Sequence, residues 1–136
     1  MKIKVFILAI FIGFAFQINA QNAIDNSFFA KADGFFKKNV TNGLVKYSQL
    51  KNDSELSGLI NNIENANISD LSANEKQAFY INAYNLLVIN AVVENYPTKS
   101  VMSISGFFDA KKRKIAGDNL TLNQIEKEKL LKVGSE

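Results

Sequence analysis

The stretch between residues 72 and 97 constrains the fold of this chain more than any other. Ser72 and Glu75 have the spacing of a capping box, in which a serine hydroxyl and a glutamate carboxylate satisfy the free amides at a helix start. Pro97 follows the apolar run and cannot continue a helix. Because the residues between them are apolar on nearly all sides, they predict a central helix over about 73–95 that is enclosed on most of its surface.

Three shorter amphipathic helices are predicted to flank the central one. Ser27 is the expected N-cap of the first, Asp53 of the second and Thr121 of the third, where Gln124 completes another capping box. The third helix is expected to end at Gly134, a residue type common just beyond a helix. Apolar residues recur at helical spacing, and the expected buried faces are Phe28, Phe29, Ala32, Phe35 and Phe36, then Leu56, Leu59, Ile60 and Ile63, then Leu122, Ile125, Leu130 and Leu131.

Short extended segments complete the expected fold. A turn at Thr41–Gly43 leads into an extended piece over residues 44–47. A tight turn at Gly117–Asn119 would join the arms 114–116 and 119–121 of a small β-hairpin. The fold class that follows is a helix-dominated α+β domain. The basic run Lys111–Lys114 admits two interpretations, a solvated hairpin tip or a contact with an anionic surface.

The first twenty residues have the features of a cleavable signal peptide. Lys2 and Lys4 precede the apolar run Val5–Phe16, and Ala20 is small enough for a signal peptidase to accept. A transmembrane anchor needs about 20 apolar residues, and this run has 12. We therefore expect residues 1–20 to be removed, leaving a single domain over residues 21–136 that is not an integral membrane protein. The bias towards Lys, Asn and Ile favours a bacterial host, so the expected location is the periplasm or the medium.

Composition excludes several kinds of chemistry. The sequence has no cysteine and no histidine, which removes disulfides, a thiol nucleophile and the commonest metal ligands. It also lacks a Gly-rich phosphate loop and a carboxylate-rich metal loop, so we predict no cofactor and no bound metal. The formal charge of +3 falls to +1 once Lys2 and Lys4 leave with the signal peptide. Such a balanced charge argues against nucleic acid as a partner, and the sequence indicates no other partner.

Four polar residues are candidates for a functional site. Asn82 and Asn85 lie three residues apart on one face of the predicted central helix, and Glu75 precedes Asn82 by almost two turns. Glu126 follows the apolar Ile125 in the last helix and is a further carboxylate that could face inward. These groups could orient a catalytic residue or bind a polar ligand. Alternatively, they satisfy backbone groups and fix the fold, as buried amides commonly do.

Four strings of the sequence resemble the family called domain of unknown function 547, DUF547. They are Val45–Tyr47, Glu75–Asn85, Tyr96–Val101, and Gly117 together with Leu120–Glu126. In that family the last helix leads into a segment with an Arg-x-His-Phe-Ala type signature and a cysteine, whereas this sequence ends at Glu136. The resemblance therefore implies the N-terminal portion of such a domain, incomplete at its C-terminus.

The resemblance implies a function only through residue types. A cysteine and a histidine in the following segment would suit a thiol-dependent hydrolase or transferase, with Glu75, Asn82 or Asn85 as supporting polar groups. The chain as it stands would then be inactive. Two alternatives stay open, a non-catalytic binding module of the cell envelope and a non-functional truncated fragment.

Overall fold

The computed structural model describes residues 22–132, so the predicted signal peptide over 1–20 and the predicted helix end at Gly134 lie outside the described residues. The helices are α1 (Asn26–Asn39), α2 (Ser54–Glu64), α3 (Ala73–Glu94) and α4 (Leu122–Ile125). A π-helical turn, Glu126–Leu130, continues α4, and single 3₁₀ turns occupy Tyr47–Gln49 and Val101–Ser103.

The long helix α3 lies at the centre of the core, as the sequence predicts. The other three helices pack against it, and its residues Phe79, Ala83 and Leu86 are fully buried. Phe79 packs against Phe28 of α1 with the ring centroids 5.6 Å apart. Because each buried Phe or Leu contributes about 1.5–3 kcal/mol, this central packing dominates the stability of the fold. The predicted helix-dominated α+β class is confirmed.

One face of α3 is open to solvent. Ile81 is 46% exposed, Asn85 is exposed, and Tyr84 and Val88 are half-buried. These residues are spaced three or four apart, so they form a single stripe along the helix. This stripe is therefore a part of the central helix that can meet a ligand.

The helix starts follow the predicted capping chemistry, with one correction. The capping boxes at Ser72 and Thr121 are both present, and Asp53 accepts a hydrogen bond from the Leu56 amide at 2.7 Å. The prediction that Ser27 caps α1 is wrong. Asp25 is the N-cap, and its carboxylate accepts the Ser27 amide at 2.8 Å. The helix begins at Asn26, before Phe28, which is its first buried residue. The apolar pattern on which the prediction relied therefore starts later than the helix itself.

Within residues 22–132, six short strands form three separate pairs. β1 (Asn22–Ala23) runs parallel to β4 (Ala66–Asn67), β2 (Val40–Thr41) pairs antiparallel with β3 (Leu44–Val45), and β5 (Arg113–Ile115) pairs antiparallel with β6 (Asp118–Leu120). The sequence predicted the β5–β6 hairpin one residue too late. Its turn is Ala116–Gly117, with φ angles of 48° and 86°. Two central residues with positive φ match the twist of a tight hairpin.

The apolar face predicted for the C-terminal helix is only partly buried. Leu122 and Ile125 are fully buried, as predicted, and Leu130 is half-buried. The prediction that Leu131 points inward is wrong, since its side chain is 64% exposed. The Leu131 amide bonds to the Glu126 carbonyl at 3.0 Å in the wider π-helical turn, which rotates the following residues away from the face that α4 buries. None of the helices within residues 22–132 is long and apolar enough to cross a bilayer.

Candidate functional site

Glu75 is exposed and engaged at the start of α3. Its Oε2 accepts hydrogen bonds from the Ser72 amide at 2.8 Å and from the Ser72 hydroxyl at 2.6 Å. These bonds, first from the side chain and then from the backbone of Ser72, hold the pKa of Glu75 below its ordinary value. The carboxylate therefore stays ionised at neutral pH, and its contacts are those of a helix cap.

The amides along α3 differ in whether their hydrogen-bonding groups are satisfied. Asn82 is half-buried and donates to the Ala78 carbonyl at 2.8 Å. Asn90 donates to Oε1 of Glu94 at 3.0 Å. The Asn85 side chain is exposed and makes no hydrogen bond within residues 22–132. Of these three amides, Asn85 is the one that is free to bind a group outside the described chain.

A groove of about 380 Å³ opens beside Asn85. Three parts of the fold form its walls, namely the end of α1, the β2–β3 hairpin with the 3₁₀ turn after it, and α3. The residues that line it are Phe36, Val40, Val45, Tyr47, Asn85, Val88 and Ile89. All but Asn85 and the Tyr47 hydroxyl are apolar, and a small pocket with few polar groups is typical of a ligand site. We call this feature the Asn85 groove.

The Asn85 groove exists because the chain reverses direction immediately after α1. Asn42–Gly43 occupy the tight turn with φ angles of 51° and 77°, and Val45 returns to pair with Val40. Tyr47 then stacks on Tyr96, with 6.4 Å between the ring centroids. Burial raises the pKa of the Tyr47 hydroxyl, which is therefore neutral at physiological pH. The sequence predicted this turn, but not the pairing that shapes the groove. The extended piece predicted over residues 44–47 is too long, because the strand ends at Val45 and Tyr47 begins a 3₁₀ turn.

Glu126 is exposed and lies close enough to Tyr84 to act on it electrostatically. Burial raises the pKa of the Tyr84 hydroxyl, and the negative charge of Glu126 raises it further. In the part of the chain that the structure describes, no hydrogen bond joins any two of Glu75, Asn82, Asn85 and Glu126. Nor do residues 22–132 contain a group of three or more Asp and Glu side chains that could hold a metal ion.

A second polar cluster joins α3 to the C-terminal segment. The ammonium of Lys129 lies 2.9 Å from a carboxylate oxygen of Asp118 and 5.6 Å from the ring centroid of the buried Tyr80. The hydrogen bond that Lys129 donates to Asp118 raises the pKa of Lys129, and burial raises the pKa of Tyr80. No local sequence pattern predicts this cluster, because its members come from three separate elements. Both partners of the ammonium, Asp118 and Tyr80, belong to this domain, so the contact holds the π-helical turn against α3.

The basic run Lys111–Lys114, which extends into β5, is not wholly solvated. Lys111 lies 2.7 Å from Glu94, and Arg113 contacts both carboxylate oxygens of Glu94 at 3.3 and 3.1 Å. The Arg113 side chain is only 7% exposed. Side chains alternate along β5, so Arg113 and Ile115 face inward while Lys114 faces solvent. The solvated-tip interpretation is therefore wrong for Arg113.

A comparison with known proteins gives a match to one family model. The family model described as "Protein of unknown function, DUF547" matches residues 68–134. The match covers 67 of the 136 residues and is consistent with a DUF547 domain in the chain. No curated protein and no solved structure gives a significant match. The DUF547 match includes Asn82, Asn85 and Glu126, but it begins after the β2–β3 hairpin. One wall of the Asn85 groove therefore lies inside the matched region, and the wall that contains Phe36 and Tyr47 lies before it.

Proposed function

We propose that this is an exported DUF547-domain protein, inactive alone, that contributes the non-nucleophilic part of a thiol-dependent hydrolase- or transferase-like site. The observation that carries the proposal is the free Asn85 amide beside an apolar groove. A thiolate nucleophile needs a base and a polar group that orients it, and Asn85 can supply the orienting group. The thiol and the base would come from a further segment or another chain, since this sequence has neither Cys nor His.

Export is supported by the basic start, the apolar run and Ala20. We expect mass spectrometry of the periplasmic or secreted protein to give a chain that begins at or close to residue 21. A chain that retains Lys2 and Lys4 and fractionates with the cytoplasm would contradict this part of the proposal.

The catalytic part is tested by reading the coding DNA beyond codon 136 and assaying any longer product. We expect a downstream segment with Cys and His, and a longer chain that hydrolyses p-nitroanilide or thioester substrates and is labelled by iodoacetamide. Asn85→Ala should lower kcat/KM of that chain by roughly 10²-fold, because the nucleophile loses the group that orients it. Its stability should barely change, because Asn85 is exposed and unbonded.

Asn82→Ala is the informative comparison, because its amide is bonded to the Ala78 carbonyl. If Asn82 acts in catalysis, activity falls more than stability; if its role is structural, the two fall together. A stop codon directly after Glu136, without a thiol-bearing partner chain, would refute the thiol-dependent function.

A second candidate function is a non-catalytic binding module of the cell envelope. It is favoured by the engagement of Glu75 and Asn82 within the fold, which leaves binding by the Asn85 groove as the available activity. This candidate predicts no labelling of any longer form by thiol-directed electrophiles, with ligand binding retained. A non-functional fragment would instead bind a hydrophobic dye and aggregate through exposed residues such as Ile81 and Leu131.

A further inference from the structure

We propose that the Asn85 groove binds an extended, uncharged peptide segment, with one apolar side chain in the groove and the peptide backbone paired to the Asn85 carboxamide. This names a substrate class and so rests on the proposed function. The binding itself is a property of this chain and needs no nucleophile.

The lining of the groove selects an uncharged, apolar group. Phe36, Val45 and Val88 contribute only carbon, and the hydroxyl of Tyr47 is held neutral. Transferring an ionised group onto such a surface costs several kcal/mol unless a partner compensates, and no lining residue is charged. The volume of about 380 Å³ lies near the lower end of ligand pockets, which suits one side chain with its flanking backbone.

The free carboxamide selects a peptide over a hydrocarbon chain. An Asn side chain offers two donor hydrogens and one acceptor oxygen, and a peptide unit offers one donor and one acceptor. The two groups can therefore form a pair of hydrogen bonds that an acyl chain cannot form. Asn82 has the same chemistry but already donates to the Ala78 carbonyl, whereas Asn85 has no partner within residues 22–132.

The open stripe of α3 extends the contact beyond the groove. Ile81 lies one helical turn before Asn85 and is 46% exposed. A peptide whose backbone is held at Asn85 would lay its neighbouring residue along Ile81. An apolar residue at that adjacent position is therefore favoured as well.

The test is a titration of the processed protein, labelled with ¹⁵N and ¹³C methyl groups, with N-acetyl-leucine N-methylamide. We expect saturable NMR shifts at the Asn85 side-chain amide and the Val45 and Val88 methyls, with a Kd in the range of ~1 mM for so small a ligand. N-acetyl-aspartate N-methylamide, of similar size but charged, should bind at least about tenfold more weakly.

Two variants and one control separate the parts of the proposal. Asn85→Ala should weaken binding about tenfold, because two neutral hydrogen bonds are lost. Val88→Phe should abolish it by filling the groove, with circular dichroism checking that the fold is kept. Asn74→Ala, which changes an exposed amide in the first turn of α3, should leave the Kd unchanged within about twofold.

Three results would overturn the inference. The first is the absence of saturable shifts at the groove, and the second is equal binding by Asn85→Ala, which would point to an acyl chain or another hydrocarbon. The third is a concentration-dependent shift of the same residues without ligand, which would show a second copy in the groove. If a longer chain hydrolyses amides but these titrations fail, the peptide-binding inference is refuted and the thiol-dependent function is kept. If the titrations succeed but no longer chain hydrolyses amides, the thiol-dependent function is refuted and the peptide-binding inference is kept.

Discussion

Removal of the Glu94 carboxylate is expected to destabilise the fold by about 2–3 kcal/mol. The Arg113 guanidinium is 7% exposed and contacts both carboxylate oxygens, and its Nε already lacks a hydrogen-bond partner among the described residues. Breaking a fully buried ion pair by removing one partner costs about 3–5 kcal/mol. The Glu94 side chain is 36% exposed. Water that reaches Glu94 compensates part of the loss, and we reduce the expected cost to about 2–3 kcal/mol for this reason.

The measurement is urea unfolding of Glu94→Ala followed by far-UV circular dichroism. The midpoint should fall by about 1–2 M urea, given the usual slope for a domain of this size. Lys111→Ala is the matched control, because Lys111 bonds to the same carboxylate but is 59% exposed and should cost no more than about 1 kcal/mol. The double variant Glu94→Ala/Arg113→Met should recover most of the loss, since no buried charge is then left unpaired. Equal losses for Glu94→Ala and Lys111→Ala would refute the reasoning.

Three further predictions concern pH, capping and backbone conformation. Burial raises the pKa of Glu94, but hydrogen bonds from its two cationic partners outweigh burial and hold the pKa below the unfolded value of about 4.5. The stabilisation by the ionised Glu94 carboxylate is complete above the unfolded pKa and is lost as the pH falls through the folded pKa. Urea midpoints measured down to about pH 3 should therefore fall less steeply for Glu94→Gln than for the unmodified protein. Asp25→Ala should lower the free energy of unfolding by about 1 kcal/mol and Ser27→Ala by much less, as thermal unfolding can show. Gly117→Ala should cost about 1–2 kcal/mol in the same assay because of its positive φ, whereas Gly34→Ala in α1 should stabilise by about 0.5–1 kcal/mol.

The elements that were predictable from sequence have causes confined to a few neighbouring residues. The capping boxes at Ser72 and Thr121 each need two side chains three residues apart, and both are present. The buried positions of α2 follow from the spacing of Leu56, Leu59 and Ile63 alone. The start of α1 was missed because Asp25 and Ser27 are both good caps, and the sequence does not show which one has the extended backbone that a cap needs.

The errors arose where distant parts of the chain decide the outcome. Arg113 belongs to a basic run that resembles a solvated surface, but its position in β5 turns it inward and its contact with Glu94, nineteen residues earlier, pairs its charge. The register of the β5–β6 hairpin depends on which residue adopts a positive φ first, and Ala116 does so although the glycine beside it made Gly117 the more obvious start. Local propensity gives the presence of such a turn more reliably than its register.

The candidate site also depends on distant parts of the chain, so local sequence patterns do not predict it. Asn82 and Asn85 are equivalent by sequence, since both are amides three residues apart on an apolar helix. What separates them is the tertiary surroundings, which half-bury Asn82 and leave Asn85 beside the open groove. That groove needs a wall from α1 and the β2–β3 hairpin, which precede the region that matches DUF547. The matched region therefore supplies the amide together with Val88 and Ile89, and the opposite wall of the groove comes from the unmatched part of the chain.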